Sequence, residues 1–239
     1  MSRRYELAVV GAGIAGSEAA WAAAREGLDV LLVTTSLDTV YLLAHDRHVL
    51  QPPEGTLMHR LLGGSGERAQ VRRAQLYLSA KYALESMPNV HLLQSNVTGL
   101  VVSNGAVTGL ETWEGIRRFA DRTVLAAGTF LEPRLSQGEL VEGAGRLGEM
   151  AYDELSANLR SHGIRLEQES IEMSGGGGEL PYTVTFSRFA AGELAADGAS
   201  TRLAGLYACG SCAQGPLSYE EAAAAGSRLG RLLAQPSAR

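Results

Sequence analysis

Short apolar runs and an alanine-rich stretch alternate at the start of the chain. The apolar run at residues 7–10 precedes an alanine-rich stretch that ends near Gly27, and a second run, four apolar residues after Asp29, covers residues 29–33. Continuous apolar runs of this length are typical of strands buried on both faces, and the stretch between them has the length of a helix. The pattern therefore predicts a strand, a helix and a second strand.

The next part of the chain predicts a loop, a helix and a strand. Residues 36–66 are rich in glycine and proline, a composition typical of a surface loop that can cover a bound ligand. Residues 67–87 predict one helix that stops at Pro88, and residues 90–93 predict a short strand.

Alternation of apolar and polar residues then indicates antiparallel strands. Residues 97–119 alternate around reversals at residues 104–105 and 114–115, which predicts a meander of short strands inserted on the sheet. Residues 123–128 predict a further buried strand. The second half predicts a helix, two strands separated by the glycine run 175–178, and a final strand, loop and helix. These elements cover residues 147–162, 164–173, 182–186, 206–209, 210–218 and 219–233.

Composition and charge narrow the class of protein. With 239 residues, 45% of them hydrophobic, the chain can bury one substantial core. The net charge of −5 gives no overall attraction to nucleic acid, although the cluster Arg68, Arg72 and Arg73 can either meet phosphates or form a solvated helix face. No signal-peptide pattern precedes the first strand and no apolar run has membrane-spanning length. We expect a cytoplasmic protein without a membrane partner.

A glycine turn joins the first strand to the first helix. It consists of Gly11, Ala12, Gly13, Ile14, Ala15 and Gly16. Such a turn directs unpaired N–H groups and the positive end of the helix dipole at one place. We expect Gly11 to permit the turn, Gly13 to let the backbone approach a pyrophosphate, and Gly16 to let the helix lie close to the strand. The turn predicts a dinucleotide site, and a glycine turn without a ligand is the alternative.

Three segments together resemble the flavin-binding part of the MnmG (GidA) family, whose members modify the wobble uridine of tRNA, and more distantly TrmFO, a tRNA-methylating flavoprotein. The matching residues are 9–20 with 38–39, 83–89 with 124–131, and 205–207 with 219–226. The resemblance implies an α/β, Rossmann-like FAD/NAD(P)-binding domain of the glutathione-reductase type, with FAD as the dinucleotide. The residues agree in part, because Thr34 and Thr35 stand where an NAD site usually presents a carboxylate.

The resemblance also implies which further residues contact FAD. It implies that the backbone near Val97 meets the adenine, that the strand end after Leu125 passes the pyrophosphate, and that the loop after Cys209 lies against the flavin. The residues so implied are Ala126, Ala127, Gly128, Gly210, Ser211, Glu220 and Ala222. The family's arginine patch aligns in two registers, so that either Arg72 or Arg73 can contact a cofactor phosphate or form a surface ion pair.

The chain departs from the family at two places. MnmG members have a Cys-Asn-Pro stretch after the second strand and a large C-terminal region associated with tRNA, whereas residues 41–48 here contain no cysteine and the chain stops soon after the final helix. The tRNA activity therefore does not follow from the fold. tRNA modification, or an accessory role in it, is one alternative function, and a non-catalytic FAD-holding sensor or interaction module is another.

Two pairs of side chains are weak candidates for catalysis. Cys209 and Cys212 have the spacing of a redox disulfide, although packing is the favoured interpretation. His45 and His48, in the covering loop, can move substrate protons at neutral pH, although an ordinary solvated loop is the favoured interpretation. No spacing indicates a metal site.

These observations predict a single FAD-binding domain. Its core is expected at residues 1–36, 67–131 and 203–235, with a small inserted substructure at about 136–202. The expected function is a flavin-dependent redox reaction on an unidentified substrate, supplied with electrons by a small molecule or a protein partner.

Overall fold

The computed structural model describes residues 3–173 and 180–235. The strands are β1 (Arg4–Val10), β2 (Val30–Thr34), β3 (Arg47–Leu50), β4 (Ala69–Arg72), β5 (Val90–Gln94), β6 (Val97–Ser103), β7 (Ala106–Thr112), β8 (Arg117–Leu125), β9 (Arg134–Gln137), β10 (Leu140–Glu142), β11 (Ala144–Arg146), β12 (Glu149–Met150), β13 (Leu166–Met173), β14 (Tyr182–Phe189) and β15 (Leu206–Ala208). The helices are α1 (Ile14–Arg25), α2 (Leu57–Leu61), α3 (Arg73–Glu85), α4 (Glu154–Ser161), α5 (Ser211–Gln214) and α6 (Tyr219–Ala234), with a 3₁₀ turn at Leu37–Thr39.

A seven-stranded sheet forms the centre of the fold. Its order is β5-β2-β1-β8-β7-β6, and β15 also pairs with β8. β1 runs parallel to both β2 and β8, and β15 runs parallel to β8. Leu7 and Val9 pack on the side of α1, α3 and α6, whereas Ala8 and Val10 pack on the side of the meander and α4. The apolar runs are continuous because the sheet is covered on both faces.

β8 belongs to both the meander and the parallel sheet. Near its start, Phe119 lies opposite Gly109 of β7 in an antiparallel pairing. Near its end, Thr123 lies opposite Leu206 of β15 in a parallel pairing. The meander predicted at residues 97–119 and the buried strand predicted from residue 123 are therefore joined by one continuous strand.

A second, four-stranded sheet has the order β10-β9-β14-β13. Its own apolar cluster contains Leu135, Tyr182, Val184 and Phe186. It lies in the part of the chain predicted to form the inserted substructure, and the domain limits given above stay a prediction.

Three predicted element boundaries are wrong. The helix predicted from residue 67 begins only at Arg73, because Ala69–Arg72 pairs antiparallel with β3. Consequently the predicted loop at residues 36–66 contains β3 as well as the short helix α2. The helix predicted from residue 147 begins at Glu154, since Gly148 has a φ of +75° and β12 pairs back to β11. The glycine run 175–178 lies outside the described residues.

Candidate functional site

The glycine turn lies at the carboxyl end of β1, packed against the end of β8. Gly11 has a φ of +101°, and a Cβ there would lie 2.4 Å from the carbonyl oxygen of Ala126. A Cβ on Gly16 would lie 1.9 Å from the carbonyl oxygen of Gly11. Both distances are far below van der Waals contact, so the turn can close only with glycine at these positions.

Gly13 is different, because space is open above it. Apart from its own neighbours in the chain, no atom of residues 3–173 and 180–235 lies within 4 Å of the position that a Cβ on Gly13 would take. The N–H groups of Ala12 and Gly13 have no hydrogen-bond acceptor among residues 3–173 and 180–235. They stand at the N-terminus of α1, where the first amides lack intrahelical partners. Backbone donors and open space therefore coincide at the positive end of this helix.

The ends of β8 and β15 reach the same edge of the sheet. Ala126 donates its N–H to the carbonyl of Val10 at 2.8 Å, and Cys209 donates to the carbonyl of Leu125 at 3.0 Å. Ala127 and Gly128 continue from this strand end, and Ser211 begins α5. A Cβ on Gly210 would lie 3.0 Å from the Cβ of Ala15. The structure thus brings the two predicted segments together around the glycine turn.

Thr34 lies at the end of the next strand pair and is hydrogen-bonded to the segment that leads to Val97. Thr34 ends β2 and is buried, with its hydroxyl donating to the carbonyl of Ser36 at 3.2 Å. Ser95, two residues before Val97, donates its N–H to the carbonyl of Thr34 at 2.9 Å. Thr35 is exposed. The end of β2 is therefore bonded to the segment before Val97, and it adjoins the glycine turn, because the Gly11 amide donates to the Val33 carbonyl at 2.8 Å.

Glu18 is a buried carboxylate that the sequence analysis missed. It lies in α1 with no exposed surface. Its oxygens accept hydrogen bonds from the Tyr41 hydroxyl at 2.5 Å, from the Leu57 amide at 2.7 Å and from the Met58 amide at 2.8 Å. Burial raises the pKa of Glu18, and the three donors act in the opposite direction. The available signal was a lone acid inside the alanine-rich helix.

The two histidines lie against the beginning of α6. The rings of His45 and His48 are stacked with centroids 5.8 Å apart, and the ring of Tyr219 meets His48 edge-on at 5.1 Å. The hydroxyl of Tyr219 accepts a hydrogen bond from the Ala44 amide at 2.9 Å. Partial burial lowers the pKa of His48, which favours a neutral ring at pH 7.

A cavity of about 390 Å³ lies between the end of β3 and the beginning of α6. It is lined by Val49, Gln51, Arg68, Ser218 and Glu220. Glu220 accepts a hydrogen bond from the Gln51 amide at 3.1 Å. Ala222 follows in the first turn of α6, which Ser218 and Glu221 close with a capping box.

Arginines collect on the exposed face of the β3–β4 ribbon. Arg47 lies directly opposite Arg72, and both side chains are exposed. Like charges that face each other across two strands are destabilising unless an anion lies between them. Neither arginine forms an ion pair within the described part of the chain, whereas Arg73 donates to the Ala44 carbonyl at 3.4 Å.

The two cysteines are buried thiols. Cys209 and Cys212 are 4% and 0% exposed and are not joined by a disulfide. Burial raises the pKa of Cys209 and raises the pKa of Cys212 to about 11. The sulfur of Cys212 donates weakly to the carbonyls of Leu125 and Cys209, at 3.5 and 3.4 Å. Both groups are protonated at neutral pH, which favours the packing interpretation over redox exchange.

Comparison with known proteins identifies the family. The model of the family described as glucose inhibited division protein A, GidA, matches residues 6–65 and 54–169. The chain belongs to the GidA family. This match includes the glycine turn, both histidines and Val97, and it ends before Gly210.

Relatives of this GidA chain differ in length. The GidA-related protein from Thermus thermophilus is 35% identical and has a TM-score of 0.83, with 96% of this chain and 98% of that chain covered. The tRNA uridine 5-carboxymethylaminomethyl modification enzyme MnmG of Chlamydia caviae is 32% identical over 69% of this chain. The chain spans only 31% of the length of that enzyme.

A more distant structure shows the fold alone. An oxidoreductase from Agrobacterium tumefaciens is 15% identical, with a TM-score of 0.59 and 97% of each chain covered. Together with the parallel sheet, these likenesses confirm the predicted Rossmann-like α/β fold and the predicted MnmG relationship. No helix within residues 3–173 and 180–235 is long and apolar enough to cross a membrane.

Proposed function

We propose that this GidA-family chain binds FAD and is an oxidoreductase that acts on an unidentified substrate. The observation that carries the proposal is the pair of amides on Ala12 and Gly13, which lack acceptors among the described residues and border open space at the start of α1. A pyrophosphate is the part of a dinucleotide that such donors bind.

We assign the residues around the turn to the other parts of the cofactor. Thr34 and Thr35 are proposed to meet the ribose and Val97 the adenine. The flavin is proposed to lie between the strand ends and α6, contacted by the residues Ala126, Ala127, Gly128, Gly210, Ser211, Glu220 and Ala222. FAD would supply hydride or electron transfer, while the chain binds and orients it. Thr34 in place of a carboxylate supports FAD over NAD.

His45 and His48 are proposed to hold or move a substrate proton beside the flavin. The packing of His48 against Tyr219 at the start of α6, where Glu220 and Ala222 are proposed to meet the flavin, supports this role. Replacing both with Ala should slow substrate-dependent reoxidation of reduced protein without releasing FAD. Replacing His91 with Ala is the control, because it lies on β5, where it pairs with Asp29. An unchanged rate in the double variant would remove the histidines from the proposal.

Anaerobic titration with NADH and NADPH tests the oxidoreductase assignment. Loss of the flavin absorbance band on addition of one donor, and its recovery with an acceptor, is the expected result. Bound FAD that is reduced by neither NADH nor NADPH would instead support the sensor or interaction module.

tRNA modification, or an accessory role in it, is the second candidate function. The exposed cross-strand pair Arg47 and Arg72 favours it, together with the name of the curated MnmG relatives. Binding of tRNA should weaken steeply between low and raised salt, and the double variant Arg47→Gln/Arg72→Gln should bind less. Arg117→Gln is the matched control, because Arg117 is paired with Glu111. No retention of tRNA at low salt would remove this candidate.

A further inference from the structure

Glu18 is connected to the glycine turn through one tyrosine. The Tyr41 hydroxyl donates to Glu18, and the backbone N–H of the same tyrosine donates to the carbonyl of Ala12 at 2.8 Å. The Ser17 hydroxyl donates to that carbonyl as well, at 3.0 Å. The carbonyl of Ala12 is therefore held by two donors, one of which depends on Glu18.

The orientation of this carbonyl determines where the next amide points. The Ala12–Gly13 peptide is trans, so its C=O and its N–H point in opposite directions. With the carbonyl of Ala12 held by Tyr41 and Ser17, the N–H of Gly13 points to the other side of the peptide. That amide has no acceptor among the described residues, and the space beside Gly13 is open.

The backbone conformation of Tyr41 is unfavourable and requires stabilising contacts. Its φ of +58° lies in the left-handed region, which is unfavourable for a bulky side chain. The ring has no exposed surface, and the hydroxyl is fixed on the carboxylate of Glu18. The same carboxylate binds the amides of Leu57 and Met58, so it also holds the segment between Tyr41 and α2.

We propose that Glu18 is a positioning residue for pyrophosphate binding, which acts through Tyr41 on the Ala12–Gly13 peptide. The inference rests on the proposed dinucleotide site. It predicts a selective effect: loss of the Glu18 contact weakens ligands that contain a pyrophosphate and leaves adenosine unaffected. A carboxylate that served only the packing of α1 would change the thermal stability of the protein but would not distinguish these ligands.

The test compares three ligands on the whole, FAD-free chain. Dissociation constants for FAD, ADP and adenosine are measured by calorimetry on wild type, Glu18→Gln and Tyr41→Phe. The Glu18→Gln substitution keeps the size of the side chain but presents an NH₂ group to the Tyr41 hydroxyl or to the amides. Tyr5→Phe is the control, because it removes a hydroxyl from another buried tyrosine, on β1.

We expect Glu18→Gln to raise the dissociation constants of FAD and ADP about tenfold, which corresponds to the loss of a charged hydrogen bond. Tyr41→Phe should raise both about threefold, and adenosine binding should stay within about twofold of wild type in every variant. Tyr5→Phe should bind all three ligands as wild type does. Should Glu18→Gln fail to fold, Tyr41→Phe decides by the same comparison.

Three outcomes overturn the inference, and the third is distinguishable from the first two. Wild-type affinity for FAD and ADP in a folded Glu18 or Tyr41 variant, or equal weakening of ADP and adenosine, overturns the inference alone. Failure of the wild-type protein to bind either FAD or ADP overturns the proposed function and the inference with it.

Discussion

A Cβ on Gly226 would lie 2.0 Å from the carbonyl oxygen of Ala15. α6 therefore crosses α1 at backbone contact, directly behind the glycine turn. We expect Gly226→Ala to lower the free energy of unfolding by about 1–3 kcal/mol, because one helix must shift away from the other. Urea denaturation checks this. Gly143→Ala is the control, since its Cβ would come no nearer than 4.0 Å to another group. Equal stability of the two variants would contradict the tight crossing.

Gly13→Ala should weaken FAD binding without lowering the stability of the protein. The φ of −66° at Gly13 suits alanine and its Cβ would contact none of the other described parts of the chain, so the FAD-free variant should be as stable as wild type or more stable by about 0.4–1 kcal/mol. The added methyl group would occupy the proposed pyrophosphate position, and FAD affinity should fall at least about tenfold. Fluorescence titration with FAD measures it. Unchanged affinity would place the pyrophosphate elsewhere.

The buried cysteines should resist thiol reagents in the folded protein. With both pKa values raised, that of Cys212 to about 11, the thiolate fraction at pH 8 is small, and both side chains are buried. Native protein should react slowly with the reagent. In guanidinium, two thiols per chain should react. Rapid reaction of native protein at pH 8, or loss of thiols on flavin oxidation, would support the redox interpretation of Cys209 and Cys212.

Glu193 should contribute stability that is lost in acid. It is 1% exposed and binds Arg202 at 2.6 Å and Arg165 at 2.7 Å, and these guanidinium groups lower its pKa from 4.5 to about 2. Because the folded-state pKa is depressed, the contribution is complete above pH 4.5 and disappears as the pH falls towards 2.

Glu193→Gln should therefore be less stable than wild type by about 1.5–3 kcal/mol at pH 7, with a smaller difference near pH 3. Thermal unfolding at both pH values measures the change. Glu142→Gln, on the exposed strand β10, is the control. A difference between Glu193→Gln and wild type that does not shrink in acid would contradict the assignment of the shift to this ion-pair cluster.

The sequence predicted the parts of the fold that local patterns encode. The runs at residues 7–10 and 30–33 are apolar because β1 and β2 are buried on both faces, and the turn at Asn104 is encoded in two residues. The strand Ala69–Arg72 was predicted as helix, because Val71 suits an apolar position in either period. Only its pairing with β3, which lies well before it in the chain, decides between them.

The residues of the candidate site also differ in whether the local sequence indicates them. Gly11 and Gly16 are visible in the sequence because a close backbone approach there demands glycine. Glu18 was missed because its partners, Tyr41 and the amides of α2, come from distant parts of the chain. A buried acid can be recognised only when its donors are known. The assignment of individual residues to parts of FAD stays a prediction.

The most direct test of the account is binding of FAD to the purified, FAD-free chain. Titration followed by calorimetry and visible absorbance should give one FAD per chain, a shifted flavin spectrum and competition by ADP, which shares the pyrophosphate and adenosine. A preparation that stays colourless and binds neither FAD nor ADP, although it is folded, would contradict the proposal that the glycine turn of this GidA chain holds a dinucleotide.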